Sequence, residues 1–353
     1  MRAAFYAGNR TITLGECRPV EPAPGQVQIQ ISHCGVCGTD LHIFHGAMDK
    51  RVRMPAILGH EMSGTIASLG GGVEDWALGD AVTVMPLDPC GNCPACRAGH
   101  SHICRNLNFM GIDSPGAFQS FWTVPAKTLL RLPASLSLQH GALIEPLAVA
   151  CHDVRLGGIQ PGENVVVIGG GPIGMLVALV AQHAGAKVIV SEVNPFRVEL
   201  AAKMGLEAVN PKELNLVELV NERTAGAGAD AVFEVSGSQS GAEVMTELPR
   251  TRGRIIVVAI FAQKPSIDLF RFFWRELRLL GTRVYEREDF ARAIEIAAAG
   301  ALPLDKLITE VSSLDHLGES FEKMDGGGAC MKILMDCQAQ VPYRDGLSRY
   351  ECS

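Results

Sequence analysis

No stretch of this chain stays apolar long enough to cross a membrane. The longest runs, Val165–Ile168 and Met175–Ala181, break far short of the roughly 20 residues that a spanning helix requires. There is no surplus of positive charge either. Lys and Arg number 31 against 38 Asp and Glu, for a formal net charge of -7, and no basic cluster stands out. A nucleic-acid partner is disfavoured, because phosphate binding needs a concentrated cationic surface, and an anionic membrane partner gains no support. Met1–Gly8 is too short and too mixed for the apolar core of a secretory signal. Internal repeats and low-complexity tracts are missing as well. Without an export signal, the eleven cysteines point to reduced thiols and metal ligands rather than bridges, and a soluble, cytoplasmic protein is expected.

What is present suits a two-domain α/β protein. The 353 residues exceed what one hydrophobic core supports, and 47% apolar with 20% charged residues is an ordinary globular balance. The first half reads as short strands between turn signals. Gly25–Ile31 alternates polar and apolar residues, as a half-buried strand does, and Gly70–Gly72 and Gly79-Asp80 mark further turns. Near residue 150 the pattern changes. Val165–Ile168 is a continuous apolar run suited to a strand covered on both faces, followed by helical Met175–Gly185, strand Lys187–Ser191 and helix Pro195–Met204. Ala231–Val235 and Arg254–Ala259 continue the alternation, which predicts a parallel, doubly wound sheet. Asp289–Ala299 reads as a helix with a capping aspartate, and the polar tail Gln338–Ser353 as surface-lying.

Two local patterns carry chemistry. Cys90, Cys93, Cys96 and Cys104 are spaced C-x2-C-x2-C-x7-C, with Gly91, Pro94 and Gly99 turning the backbone between them. Four thiolates on one tight loop close a tetrahedral shell around zinc and leave no open position, as a structural site requires. Disulfides are opposed by the missing export signal, and His100 and His102 are read as facing solvent because four sulfurs already fill the shell. Gly169-Gly-Gly171-Pro-Ile-Gly174 follows one predicted strand and opens a predicted helix, the context of a dinucleotide-binding turn. There Gly169 makes the turn, Gly171 admits the pyrophosphate and Gly174 lets helix and strand pack, with phosphate at the helix N-terminus. Glu192 ends the second strand, where a carboxylate bonds the adenosine ribose hydroxyls and repels a 2′-phosphate. NAD is therefore expected over NADP, although Arg197 is near enough to temper the choice. An exposed strand-end glutamate is the plainer alternative. Segments 34–42 (CGVCGTDLH) and 59–64 (GHEMSG) also hold metal-type residues. Cys37, His60 and a carboxylate would give a catalytic zinc its three protein ligands and an open position, yet taken alone a buried cysteine and a core histidine are ordinary.

Taken in order, 35–42 (GVCGTDLH), Gly59-His60-Glu61, the four-cysteine loop, 145–150 (EPLAVA) and 169–174 (GGGPIG) resemble the zinc-containing medium-chain alcohol dehydrogenases over nearly the whole chain. The chain looks most similar to the polyol branch, with its sorbitol, galactitol, butanediol and threonine dehydrogenases. The markers are Glu145, where classical members carry a cysteine ligand, and Glu61, which joins the zinc shell in that branch. The resemblance implies a GroES-like β-barrel catalytic domain, Met1–Val149 plus Glu286–Ser353, and a Rossmann NAD-binding domain with a doubly wound parallel sheet, Ala150–Tyr285. It implies that Cys37, His60 and Glu61 bind the catalytic zinc, with Glu145 either a ligand or the holder of a zinc-bound water. Asp40 would orient the histidine ligand. Thr39 would take the substrate proton and His42 would pass it to solvent. Cofactor contacts would fall on Gly169, Gly171, Ile173, Gly174, Glu192, Arg197, Val258 and Ile260, and a substrate contact on Tyr285. The implied activity is reversible oxidation of a secondary alcohol on a polyol or sugar alcohol to a ketone, with zinc as Lewis acid and NAD as hydride acceptor. Threonine 3-dehydrogenase or butanediol dehydrogenase is the alternative within the class. A non-catalytic nucleotide-binding redox sensor is the alternative outside it. The resemblance also implies a homo-oligomer, tetramer or dimer, and the aromatic cluster Phe270, Phe272, Phe273 and Trp274 is expected to be buried between domains or subunits.

Overall fold

The computed structural model describes residues 1–339 and, in backbone outline, the short strand Ser348–Arg349. The expected surface-lying tail therefore falls mostly outside the described residues. The chain forms two compact units: Met1–Glu145 with Ala293–Ala299 and Ile308–Ser353, and Pro146–Arg292 with Gly300–Leu307. The break falls at Glu145/Pro146, inside the helix Ile144–Gly157 and a few residues ahead of the change of pattern near residue 150.

The first unit is built on a seven-stranded sheet around the long strand Gln26–Gly35. That strand pairs antiparallel with Glu61–Leu69, Phe121–Pro125 and Lys332–Asp336. Val27, Ile29 and Ile31 point into the core as their alternation predicts. Gln28 departs from it: the side chain is buried, and its amide donates to the Val20 carbonyl at 2.9 Å, which removes the cost of burying it. The register sets Gly35 opposite Glu61 and Cys34 opposite Met62. Any side chain at position 35 would run into the Glu61 carboxylate, so the glycine makes room for that charge.

The second unit holds six parallel strands, in the spatial order Glu207–Val209, Lys187–Ser191, Asn164–Ile168, Ala229–Glu234, Pro249–Val257 and Arg278–Gly281. The helix Pro172–His183 joins two of them and Pro195–Lys203 joins the next pair. Val166, Ile189, Val232 and Ile255 pack with Leu216, Val220 and Met245, as strands covered by helices must. The predicted strand over Arg254–Ala259 ends at Val257, because the Val258 and Ala259 N–H groups turn back to the Glu234 carbonyl at 2.9 and 3.1 Å. The predicted helix at 289 begins at Arg287. Asp289 caps it from inside the first turn, accepting the Glu286 N–H at 2.8 Å. No helix among the described residues is long and apolar enough to cross a membrane.

Candidate functional site

Four cysteines converge in the loop after strand Ala81–Val84. The Sγ atoms of Cys93 and Cys96 lie 3.5 Å apart, Cys93 and Cys104 3.8 Å, and Cys90 and Cys104 3.4 Å, all as free thiols. A tetrahedral zinc with arms of about 2.3 Å has edges of about 3.8 Å, so the donor set fits that ion. The backbone already favours thiolate. N–H groups of Cys96 and Arg105 bring Cys93 down to about 6, while burial, followed by the neighbouring sulfurs, takes Cys96 up to about 12. His100 is exposed as expected, but His102 is buried, since the turn Ser101–Ile103 directs it inward. Among the described residues nine cysteines are free. Cys17 departs from the expectation of reduced thiols throughout, being disulfide-bonded.

The second group comes from separate elements. Cys37 caps the short helix Gly38–Phe44: the Thr39 N–H reaches its Sγ at 3.4 Å, and Asp40 returns Oδ2 to the Cys37 N–H at 2.9 Å. His60 precedes strand Glu61–Leu69 and Glu61 opens it. One ligand atom from each of Cys37, His60 and Glu61 falls within 4.8 Å of the others. His60 Nδ1 and Asp40 Oδ1 are both buried, have no hydrogen-bond partner and stand 3.8 Å apart. Burial would lower the His60 pKa, but the charges of Cys37 and Asp40 outweigh it and hold the value well above the usual range. Such a cage is short of a cation, and its sulfur, nitrogen and oxygen donors suit zinc. Glu145, also buried, acts electrostatically on His60 and on Lys332. Thr39 is half-buried beside Cys37, and His42 is exposed at the end of the same helix.

Lys332 has no counterpart among the residues singled out in the sequence. Its buried Nζ donates to both oxygens of Glu61, at 2.9 and 2.7 Å, and to the Val36 carbonyl at 3.0 Å. The ammonium thus holds the carboxylate that the resemblance assigns to the metal. Only one signal hints at it, an isolated lysine at the head of the apolar run Lys332–Met335, which becomes a buried strand.

In the second unit a cavity of about 860 Å³ opens at the carboxyl ends of the parallel strands and is lined by Gly169, Gly171, Glu192 and Arg197, among others. Gly169 takes φ +100°, and a side chain at Gly174 would collide with the Gly169 carbonyl, so the turn closes as tightly as the motif demands. Glu192 accepts the Gly170 N–H at 2.8 Å and the Asn194 N–H at 2.7 Å, and Arg197 Nη1 stands 3.9 Å from it. Ile173 lies half-buried in the first turn of the helix Pro172–His183. Val258 and Ile260 follow the end of strand Pro249–Val257, the latter exposed. Tyr285 is completely buried, its ring edge-on to Phe290 at 4.7 Å between centroids.

Comparison with known proteins decides the family. The model of the alcohol dehydrogenase GroES-like domain matches residues 23–134, and that of the zinc-binding dehydrogenases matches 172–299. The chain belongs to the zinc-binding alcohol dehydrogenases. It is 51% identical to the 2-dehydro-3-deoxy-L-galactonate 5-dehydrogenase of Pseudoalteromonas atlantica, over 96% of this chain and 100% of that one. It is 35% identical to the L-threonine 3-dehydrogenase of Pyrococcus horikoshii, over 89% and 92%. A zinc-binding dehydrogenase of Sinorhizobium meliloti solved with NADP superposes with a TM-score of 0.89 at 32% identity, covering 95% of this chain and 98% of that one. This dehydrogenase is accordingly a zinc-dependent oxidoreductase of the polyol branch, with GroES-like and Rossmann domains and a nicotinamide cofactor.

Proposed function

We propose that this dehydrogenase reversibly oxidises one secondary hydroxyl of a sugar acid, of the 2-dehydro-3-deoxygalactonate kind, to a ketone with NAD. The observation that carries the substrate class is the 51% identity, end to end, with a dehydrogenase of that name. The balance is simple: alcohol and NAD give ketone, NADH and a proton. Cys37 and His60 hold a zinc ion, with Glu61 and Glu145 as the carboxylates beside it. When bound, that ion supplies Lewis acidity to the carbinol oxygen. Asp40 orients His60, Thr39 receives the hydroxyl proton, and His42, exposed at the helix end, releases it to water. Cys90, Cys93, Cys96 and Cys104 hold a second, structural zinc.

The choice of NAD rests on Glu192. Both of its oxygens are fixed by backbone N–H groups, so the carboxylate cannot swing away from a 2′-phosphate, while Arg197 is already drawn toward it. Glu192→Ala should move the NADP-to-NAD ratio of kcat/KM upward by about tenfold or more. A ratio unchanged by that substitution would remove the argument. The protein acts as a cytoplasmic homo-oligomer, tetramer or dimer. Supporting this, Phe270, Phe273 and Trp274 are about two-thirds or more exposed, at 65, 78 and 72%, on the helix Leu269–Arg275 that precedes the sheet's edge strand Arg278–Gly281. A soluble monomer would leave that patch to water. The test of the whole reading is NADH formation across 2-dehydro-3-deoxygalactonate, galactonate, galactitol, 2,3-butanediol and threonine. The sugar acids should exceed the others in kcat/KM, and a preference for threonine or butanediol would overturn the substrate class.

A further inference from the structure

Strand Ala229–Glu234 lies in the middle of the parallel sheet, between Asn164–Ile168, which leads into the glycine-rich turn, and Pro249–Val257. Its last residue, Glu234, is completely buried. One carboxylate oxygen accepts the Ser236 hydroxyl and the N–H groups of Ser236 at 3.0 Å and Gly237 at 3.2 Å; the other shares the Gly237 N–H at 3.2 Å. The Glu234 backbone carbonyl takes the N–H groups of Val258 and Ala259. The segment held in this way is packed hard on both sides. A Cβ at Gly169 would stand 2.9 Å from the Ser236 nitrogen, and one at Gly237 would stand 3.0 Å from the Ile260 carbonyl. From Ser236 a run of hydroxyls continues to Ser238 at 2.9 Å and Ser240 at 3.2 Å, and all three serines line the same cavity as Gly169 and Gly171.

We infer that Glu234 is a positioning residue for the dinucleotide: its carboxylate and carbonyl lock three chain ends, at Gly169, at Ser236–Ser238 and at Val258–Ile260, into one rigid rim for the cofactor. This rests on the reading of the cavity as the nicotinamide dinucleotide site. The cost of burying a carboxylate is otherwise hard to account for, because an apolar side chain would fill the end of a strand without desolvating a charge. Burial does push the carboxyl above its usual range, and the N–H and O–H donors of Ser236 and Gly237 work against that push.

The experiment is an NADH fluorescence titration of the full-length, zinc-loaded protein as wild type, Glu234→Gln and Ser236→Ala, with melting temperature, zinc content and steady-state kinetics on each. In glutamine the amide oxygen can keep the three donors, but the NH2 then stands against the Gly237 N–H that the second carboxylate oxygen shares, and the charge is gone. Glu234→Gln should weaken NADH binding by about tenfold or more, and Ser236→Ala by about threefold. The KM for NAD should rise by far more than kcat falls, and zinc content should not change. Ser236→Ala keeps the fold intact and decides the matter if Glu234→Gln does not fold. Wild-type NADH affinity in Ser236→Ala, or a Glu234→Gln variant that loses stability but not affinity, overturns the inference. A wild-type protein that binds no NADH removes the dinucleotide reading itself, and this inference with it.

Discussion

Two groups of metal-type residues in the first unit are built on opposite plans. Cys90, Cys93, Cys96 and Cys104 belong to one short loop, and their sulfurs gather with no help from the sheet beyond a place to stand. Cys37, His60 and Glu61 come from a helix cap, a loop end and a strand start. Glu61 is held in turn by Lys332, 271 positions away. In the loop, spacing alone fixes geometry. In the buried group geometry is a product of the whole fold, and a carboxylate in the interior is held by an ammonium group, both with almost no access to water. The first plan suits an ion that must never leave and never react. The second would suit an ion with an open position, set among charges that other residues control.

The largest effect that separates the two plans is on turnover. His60→Ala should lower kcat by at least about a thousandfold in the molecules that fold, since several kcal/mol of Lewis-acid assistance depend on that ligand, while their NADH affinity stays near that of the wild type. Cys93→Ser should do the reverse. It should lose one zinc per chain and melt at least about 5 °C lower, yet the molecules still folded should turn over normally. Equal loss of turnover in folded Cys93→Ser would mean that the two groups do not divide the work as their architecture suggests.

Lys332 gives a smaller but sharper contrast. Lys332→Met leaves the Glu61 charge buried without its partner, a loss of about 3–5 kcal/mol in comparable buried pairs. Removing both charges, as Lys332→Met with Glu61→Gln, should recover at least half of that loss in chemical denaturation, because the carboxylate that the ammonium group held is then gone as well. Additive losses in the double variant would show that the pair does not act as a unit. In the four-cysteine loop, by contrast, each sulfur is held by the other sulfurs and by nearby N–H groups such as that of Asn106.

How much could be read from the chain follows the same division. The glycine turn, the four-cysteine loop and the strand-helix alternation are local patterns, and each forms where its spacing places it, to within a few residues at the ends. Lys332 is invisible as a partner of Glu61 because nothing local connects them; only the antiparallel pairing of Lys332–Asp336 with Gln26–Gly35 does. Glu234 reads as the end of an ordinary strand, since its role depends on serine and glycine donors whose turn is set by packing against Gly169. Tyr285 shows the converse: its place in the family pattern suggests a substrate contact, while its burial against Phe290 is set by packing that the sequence does not display.

The smallest expected effect isolates how the buried group is tuned. Asp40 Oδ2 already accepts the Cys37 N–H, which leaves Oδ1 to face His60 Nδ1 across 3.8 Å. A carboxylate facing Nδ1 favours the neutral tautomer with its proton there, the form that would leave Nε2 for a metal. In Asp40→Asn the amide oxygen must serve the Cys37 N–H, so the NH2 points at Nδ1 and favours the opposite tautomer, with the proton on the ligating nitrogen. Zinc affinity at this site should fall by about 10–100-fold in a competitive chelator titration, while the four-cysteine loop, which has no such relay, releases its ion at the wild-type concentration. If both sites weaken together, Asp40 serves the fold rather than the tautomer.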